Sequence, residues 1–228
     1  MRWLLTICVA LLAGFAGAAG WSLSGLGDSR TREYLLAHPD VLPEAIAVLE
    51  QQQQQTRIAP LRAQLERPFP GAVLGNPQGA VTLVAFSDYA CGFCRRSMDD
   101  VAALIAANPD LKVVLREYPI LSPASGDAAQ MALAAAAQGR YAAFHDAMFR
   151  LGPPSPESIA AAAKTAGVTG AGTDDPAIRQ ELQANAALAA QLGINGTPAW
   201  IVGDRMLNGA VGAEALGEAI AAARGATT

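Results

Sequence analysis

The segment VAFSDYACGFCRR, residues 84–96, places a Cys-x-x-Cys motif between a predicted strand and a predicted helix. The run Val81–Phe86 is apolar and rich in β-branched and aromatic residues, which is typical of a buried strand. From Arg95 to Ala107 apolar residues recur at helical spacing. The segment therefore predicts a strand followed directly by a helix, with Cys91 and Cys94 where the two meet.

A thiol at the start of a helix has distinctive chemistry. Free N–H groups and the helix dipole favour an anion there, so we expect Cys91 to have a lowered pKa and to be the accessible nucleophile. Cys94 lies within one turn and can attack a mixed disulfide to release the bound partner. A bridge across two residues closes little chain entropy and stabilises little. The pair therefore predicts a redox-active dithiol.

Half of a zinc site is the alternative interpretation of this motif. Such a site needs two further ligands. His38 and His145 are the two histidines of the chain, and they do not form a second ligand pair. Zinc held within one chain is therefore disfavoured, while a metal shared by two chains stays open. We predict no resident metal and no cofactor.

Residues 1–19 carry one charge, at Arg2, then an uncharged apolar run that ends in small residues. This pattern is typical of a cleaved secretory signal peptide and predicts a periplasmic protein. A retained signal would instead anchor the protein to the membrane. Cys8 lies in this signal, so the mature chain keeps Cys91 and Cys94.

The 228-residue chain is 52% apolar and 16% charged, which predicts one medium globular domain with a smaller appendage. Sixteen basic and twenty acidic residues give a net charge of −4, without a basic run. A nucleic-acid partner is disfavoured because that affinity comes mainly from clustered cations.

Residues 20–70 predict an N-terminal helical arm, and residues 71–228 the main domain. The arm has two short apolar stripes at helical spacing, without an obvious cover within the chain. We expect the arm to support homo-oligomers through residues 30–66; a mobile monomeric arm is the alternative. The stripes are Leu42, Ile46, Leu49 and Ile58, Leu61, Leu65.

The remaining patterns complete an α/β order. A second strand is predicted at Leu111–Tyr118 and helices from about 122 to 192. A strand follows at Ala199–Val202, then a hairpin partner and a final helix at Ala213–Ala223.

Two segments of the sequence resemble signatures of DsbA-type thiol–disulfide oxidoreductases. The segment at residues 84–96 resembles their active site, and GINGTPAW at residues 193–200 resembles their second signature. The resemblance implies a thioredoxin-like fold with a helical insertion at about 122–192. Residues 34–50 are more weakly similar to the N-terminal helices of ScsC-like members, which oligomerise.

The resemblance also implies roles for individual residues. Pro198 is expected to follow a cis peptide bond and to face the disulfide, and the Thr197 backbone to meet an extended substrate chain. Phe93 stands where strongly oxidising members have His, and we include it as a candidate substrate contact. Many relatives have a buried acid six residues before the first cysteine, where this chain has Ala85.

The leading hypothesis is a periplasmic enzyme that oxidises or isomerises disulfides in exported proteins through Cys91 and Cys94. Its partners would be exported proteins with thiols or disulfides and a membrane redox partner. A copper-tolerance protein that binds Cu(I) through the same two thiols is the second hypothesis. A non-enzymatic assembly module is the third.

Overall fold

The computed structural model describes residues 2–23, 26–170 and 172–225. The predictions that include Met1, residues 24–25, Ala171 or residues 226–228 lie, at those positions, outside the described residues. The chain divides into two compact units, Met1–Glu50 and Gln51–Thr228.

The first unit is helical, as the predicted arm requires. It contains α1 (Arg2–Leu23), α2 (Leu26–Ala37) and the first turns of α3 (Val41–Ile58). Leu42, Ile46 and Leu49 share one face of α3 and remain about half exposed, at 49%, 55% and 53%. Among the described residues, no helix combines the length and the apolar character needed to span a membrane.

A mixed five-stranded sheet organises the described part of the second unit. Its strand order is β1-β3-β2-β4-β5. The central pair β2 and β3 is parallel, whereas the other three pairings are antiparallel. The strands are β1 (Val73–Gly75), β2 (Val81–Ser87), β3 (Leu111–Glu117), β4 (Ala199–Val202) and β5 (Arg205–Asn208).

Helices flank this sheet, and four of them form the predicted insertion between β3 and β4. Three helices of the insertion begin with a side chain that accepts a backbone N–H, followed by proline in the first turn, as expected at helix starts. The capping residues are Ser122, Ser155 and Asp175. The helices are α4 (Arg62–Leu65), α5 (Gly92–Ala107), α6 (Pro123–Ala137), α7 (Tyr141–Leu151), α8 (Pro156–Ala166), α9 (Pro176–Leu192) and α10 (Gly212–Gly225).

Strand β2 is buried along its whole length and feeds two cores. Because side chains alternate across a strand, Leu83 and Ala85 belong to the core that also contains both cysteines. Val84 and Phe86 belong to a second core on the opposite face. Both faces of the strand are therefore packed where it ends. This packing positions the start of α5 beside the first core.

The second core corrects one expectation about the arm. Ile58 and Leu65 were predicted to lack a cover within the chain, yet each is 1% exposed and packs with Val84 and Phe86. The physical reason is that this apolar face of the sheet itself needs a cover. The stripe of Ile58 and Leu65 is therefore part of the second unit, and the stripe on residues 42–49 is the one that stays exposed.

Arg116 fastens the segment after α4 to the sheet. Its buried guanidinium donates to the backbone carbonyls of Leu65, at 3.0 Å, Arg67, at 2.5 Å, and Gln64. It also donates to the Glu181 carboxylate at 2.6 Å and to Asn185 at 3.1 Å. Burial lowers the pKa of Arg116, while the Glu181 charge acts in the opposite direction. The guanidinium thus satisfies carbonyls that the end of α4 leaves unpaired.

Candidate active site

Cys91 caps the N-terminus of α5, as predicted. Its backbone is extended, and its sulfur accepts the backbone N–H of Cys94 at 3.2 Å. Its thiol also donates to the Thr197 carbonyl oxygen at 3.3 Å. Cys91 is only 4% exposed, so the expected accessible thiol is covered in this reduced state.

Cys94 lies deeper, with no exposed surface. Burial raises the pKa of the Cys94 thiol to about 12, although a hydrogen bond from the Asp88 backbone lowers it. The Cys91 side chain raises the pKa further, whereas the Thr197 and Ser87 side chains lower it. Cys94 therefore keeps its proton at neutral pH, as expected of the buried thiol of the pair.

The bond between Thr197 and Pro198 is cis, as predicted. The preceding helix α9 ends at Gly193, whose φ of +73° lies in the left-handed region that glycine adopts readily. The Pro198 carbonyl accepts the Gly209 N–H at 2.8 Å, and Trp200 donates to the Gly209 carbonyl at 2.9 Å. These contacts place the Thr197 carbonyl beside the Cys91 sulfur.

Asp88 organises the loops around the cysteines. Its carboxylate is 1% exposed and accepts the backbone N–H groups of Ala90, at 2.8 Å, Ile120, at 2.8 Å, and Leu121, at 2.9 Å. Three such bonds satisfy a buried charge. Asp88 thereby ties the loop that carries Cys91 to the loop between β3 and α6.

The two aromatic residues near the cysteines have different surroundings. Phe93 is 56% exposed, and the Arg96 guanidinium lies 4.5 Å from its ring centroid. Tyr89, in contrast, is 2% exposed, so direct contact with a substrate is excluded in this state. Burial therefore gives Tyr89 an internal role, whereas Phe93 presents an exposed aromatic surface.

A buried polar chain, absent from the sequence predictions, runs behind the cysteines. Tyr141 donates to the Glu117 carboxyl at 2.6 Å, and the Tyr89 hydroxyl contacts the same oxygen at 3.1 Å. Tyr89 also lies 3.0 Å from Nδ1 of His145, whose Nε2 lies 3.1 Å from the Met98 sulfur. We refer to these five residues as the buried polar chain.

Burial sets the charge states in the buried polar chain. It raises the pKa of Glu117 to about 8, even though the Tyr141 and Tyr89 hydroxyls act in the opposite direction. It lowers the pKa of His145 to about 3. It also raises the pKa values of Tyr89 and Tyr141. At neutral pH Glu117 and His145 are therefore mainly uncharged, and His145 has a structural role.

Glu117 is expected to make the protein less stable as the pH rises from 4.5 to about 8. In this window the unfolded chain has lost the Glu117 proton and the folded chain still holds it, so raising the pH favours unfolding. The slope is at most about 1.4 kcal/mol per pH unit. Urea unfolding across this range measures it.

Glu117→Gln is the matched control, because the amide has a similar shape and does not titrate. The free energy of unfolding of the wild type, minus that of the variant, should decrease as the pH rises from 4.5 to about 8. His145 acts in the opposite direction below pH 6.5, but it is present in both chains. A difference that is independent of pH would contradict the assignment.

The paired thiols of Cys91 and Cys94 are the side chains here that suit a soft metal such as Cu(I). Across residues 2–23, 26–170 and 172–225, no three His, Cys, Asp or Glu side chains group as a metal site would require.

The second unit defines the class of protein: a thioredoxin-like fold with a Cys-x-x-Cys motif at a helix N-terminus beside a cis-proline. Residues 82–221 match the family model described as the DSBA-like thioredoxin domain. The chain therefore belongs to the DsbA-like family, which has the fold of thiol–disulfide oxidoreductases. Residues 31–56 match the model described as the copper resistance protein ScsC N-terminal domain.

Solved structures agree with this assignment. A thioredoxin-like oxidoreductase from Silicibacter pomeroyi DSS-3 is 39% identical, with a TM-score of 0.65; the match covers 67% of this chain and 91% of that one. A periplasmic thioredoxin-like protein from Salmonella enterica serovar Typhimurium is 26% identical, with a TM-score of 0.67 and coverage of 72% and 95%. A linker-deletion mutant of Proteus mirabilis ScsC is 26% identical, with a TM-score of 0.72 and coverage of 86% and 92%. No curated protein matches the sequence.

Proposed function

We propose that the protein exchanges disulfides with exported proteins in the periplasm through Cys91 and Cys94. The observation that carries the proposal is the position of the Cys91 sulfur, between the N-terminus of α5 and the Thr197 carbonyl. Cys91 is the nucleophile and Cys94 the resolving thiol. The backbone of Thr197 and the ring of Pro198 contact the substrate chain, and Phe93 offers an exposed aromatic surface beside them.

The exchange balances without an added cofactor. In the oxidising direction a substrate thiolate attacks the Cys91 sulfur, the Cys91–Cys94 bond breaks, and Cys94 takes up a proton. A second substrate thiolate then attacks the substrate sulfur of the mixed disulfide, and Cys91 leaves as thiolate. The substrate has gained a disulfide, and the protein holds two thiols. Isomerisation begins instead with attack by the reduced Cys91.

Two reactions with ribonuclease A test the proposal and separate its directions. Oxidised protein is mixed with reduced ribonuclease, and reduced protein with scrambled ribonuclease; recovered ribonuclease activity is the readout. An oxidase accelerates the first recovery and an isomerase the second. Failure to accelerate either would contradict a general exchange function.

The proposed periplasmic location is supported by the signal-like pattern of residues 1–19 and by the similarity to a periplasmic thioredoxin-like protein of Salmonella. A membrane redox partner would reset Cys91 and Cys94 after each turnover. We propose that residues 1–19 are removed as the signal and that residues 20–70 form the arm, whose Ile58 and Leu65 pack with the second unit.

Association through residues 30–66 is supported by the half-exposed face of Leu42, Ile46 and Leu49 and by the ScsC-type match at residues 31–56. We expect Ile46→Lys with Leu49→Lys to convert an oligomer of the mature chain to monomers, because both charges would enter an apolar contact. Light scattering measures the mass.

Gln52→Lys is the control for that pair, since Gln52 is already exposed on the same helix. It should leave the mass unchanged. If the wild type is itself a monomer, or if the double variant keeps the wild-type mass, this face is not an association surface.

Copper binding is a second candidate function, favoured by the ScsC-type match and by the two adjacent free thiols. It predicts one Cu(I) per reduced chain in competition with a chromogenic chelator, and loss of that binding in Cys91→Ser. Such binding without ribonuclease recovery would favour this function over disulfide exchange.

A further inference from the structure

The deep thiol, Cys94, meets an electrostatic cost in the resolving step. If Cys94 resolves mixed disulfides, its sulfur must lose a proton in a place where burial opposes charge. Ala85, on the same face of β2, offers no polar group. The Asp88 backbone and the Thr197 side chain favour the thiolate, and a further donor on this face of the strand would favour it more.

Ser87 is the group that strand geometry places there. Ser87 lies two residues beyond Ala85, so its side chain projects from the same face of β2, toward the core that contains Cys94. Ser87 is 4% exposed, and its hydroxyl oxygen has no hydrogen-bond partner. A buried hydroxyl without a partner costs free energy, which points to a role in another state of the site.

A second observation connects this hydroxyl to Cys94. Burial raises the pKa of the Cys94 thiol, and the Ser87 side chain is among the groups that lower it. The Ser87 hydroxyl makes no hydrogen bond to the Cys94 sulfur in the reduced state, so a bond between them would belong to the thiolate state. Thr197 shares both features: its hydroxyl is also unpaired, and it also lowers the pKa of Cys94.

We propose that Ser87 is a positioning residue for the resolving step, whose hydroxyl donates a hydrogen bond to the Cys94 sulfur as it becomes a thiolate. This inference rests on the proposed function. In the step, Cys94 attacks the Cys91 sulfur of the mixed disulfide, and the bond from Cys91 to the partner sulfur breaks. The Cys94 proton passes to solvent, and the departing partner thiolate takes up a proton to leave as a thiol.

Single-turnover oxidation of the reduced mature chain by oxidised glutathione tests this role. A high concentration of oxidised glutathione makes formation of the mixed disulfide fast. Acid quenching and mass spectrometry then follow its resolution as a separate step. Ser87→Ala should slow resolution about tenfold or more, because a hydrogen bond to a charged group is lost. The rate of mixed-disulfide formation should change less than twofold. A general loss of structure would slow both steps and would not separate them in this way.

Ser97→Ala is the matched control. Ser97 is also buried, on α5, but its hydroxyl already donates to the Phe93 carbonyl at 3.0 Å. It should resolve at the wild-type rate. Equal slowing by both variants, or an unchanged rate in Ser87→Ala, would overturn the role of Ser87. A wild type that never forms the Cys91–Cys94 disulfide would instead overturn the proposed function.

Discussion

Replacing Cys91 with serine is expected to lower the rate of disulfide exchange about a thousandfold or more, because a hydroxyl cannot replace a thiolate as the attacking group. Cys94→Ser should behave differently. Its Cys91 can still attack a disulfide, but the mixed disulfide then lacks the resolving thiol and accumulates. Intact-mass measurement after addition of oxidised glutathione distinguishes the two variants.

The opposite behaviour of the two variants is the informative result. Cys94→Ser should gain one glutathione, mapped to Cys91, while Cys91→Ser should gain little over the same time. Burial of the Cys94 thiol is the reason, since it both blocks access and disfavours the thiolate. Faster modification of Cys91→Ser than of Cys94→Ser would reverse the assigned roles.

Arg116→Met is expected to lower the free energy of unfolding by about 3–5 kcal/mol, the usual cost of removing one partner from a buried ion pair. The methionine fills part of the space but leaves Glu181 and the carbonyls of Leu65 and Arg67 without their donor. For a chain of this size, that loss corresponds to a fall of roughly 10 °C in Tm. Thermal and urea unfolding measure both quantities.

Arg224→Met is the control for Arg116. Arg224 pairs with Asp110 at 2.7 Å, but both side chains are about 40% exposed. Removing an exposed pair costs little, because solvent screens both charges. Equal losses in the two variants would show that burial of the Arg116 guanidinium does not control its contribution.

Much of the fold could be predicted because its signals are local. The apolar run of β2, the cap and proline at Ser155 and at Asp175, and the cysteine pair each occur within a few residues. Strand β1 was missed because three residues are too short to show alternation, and the turn residues around Gly75 dominate that segment.

The features of the site that the sequence did not predict have a common physical cause. They depend on contacts between distant parts of the chain. Glu117 and His145 meet Tyr89 only after α7 packs behind β3. Arg116 is charged and stands in a strand, so sequence alone does not show that it fastens the end of α4. Alternation along β2 would have placed Ser87 beside Ala85, but the missing hydroxyl partner is visible only in the structure.

The central claim is that Cys91 and Cys94 form a reversible disulfide that exchanges with other thiols. Equilibration of the mature chain in graded mixtures of reduced and oxidised glutathione, followed by acid quenching and peptide mapping, tests it most directly. We expect a single two-electron transition in which one disulfide joins Cys91 to Cys94. Persistence of both thiols across the series, or only glutathione adducts without an internal disulfide, would contradict it.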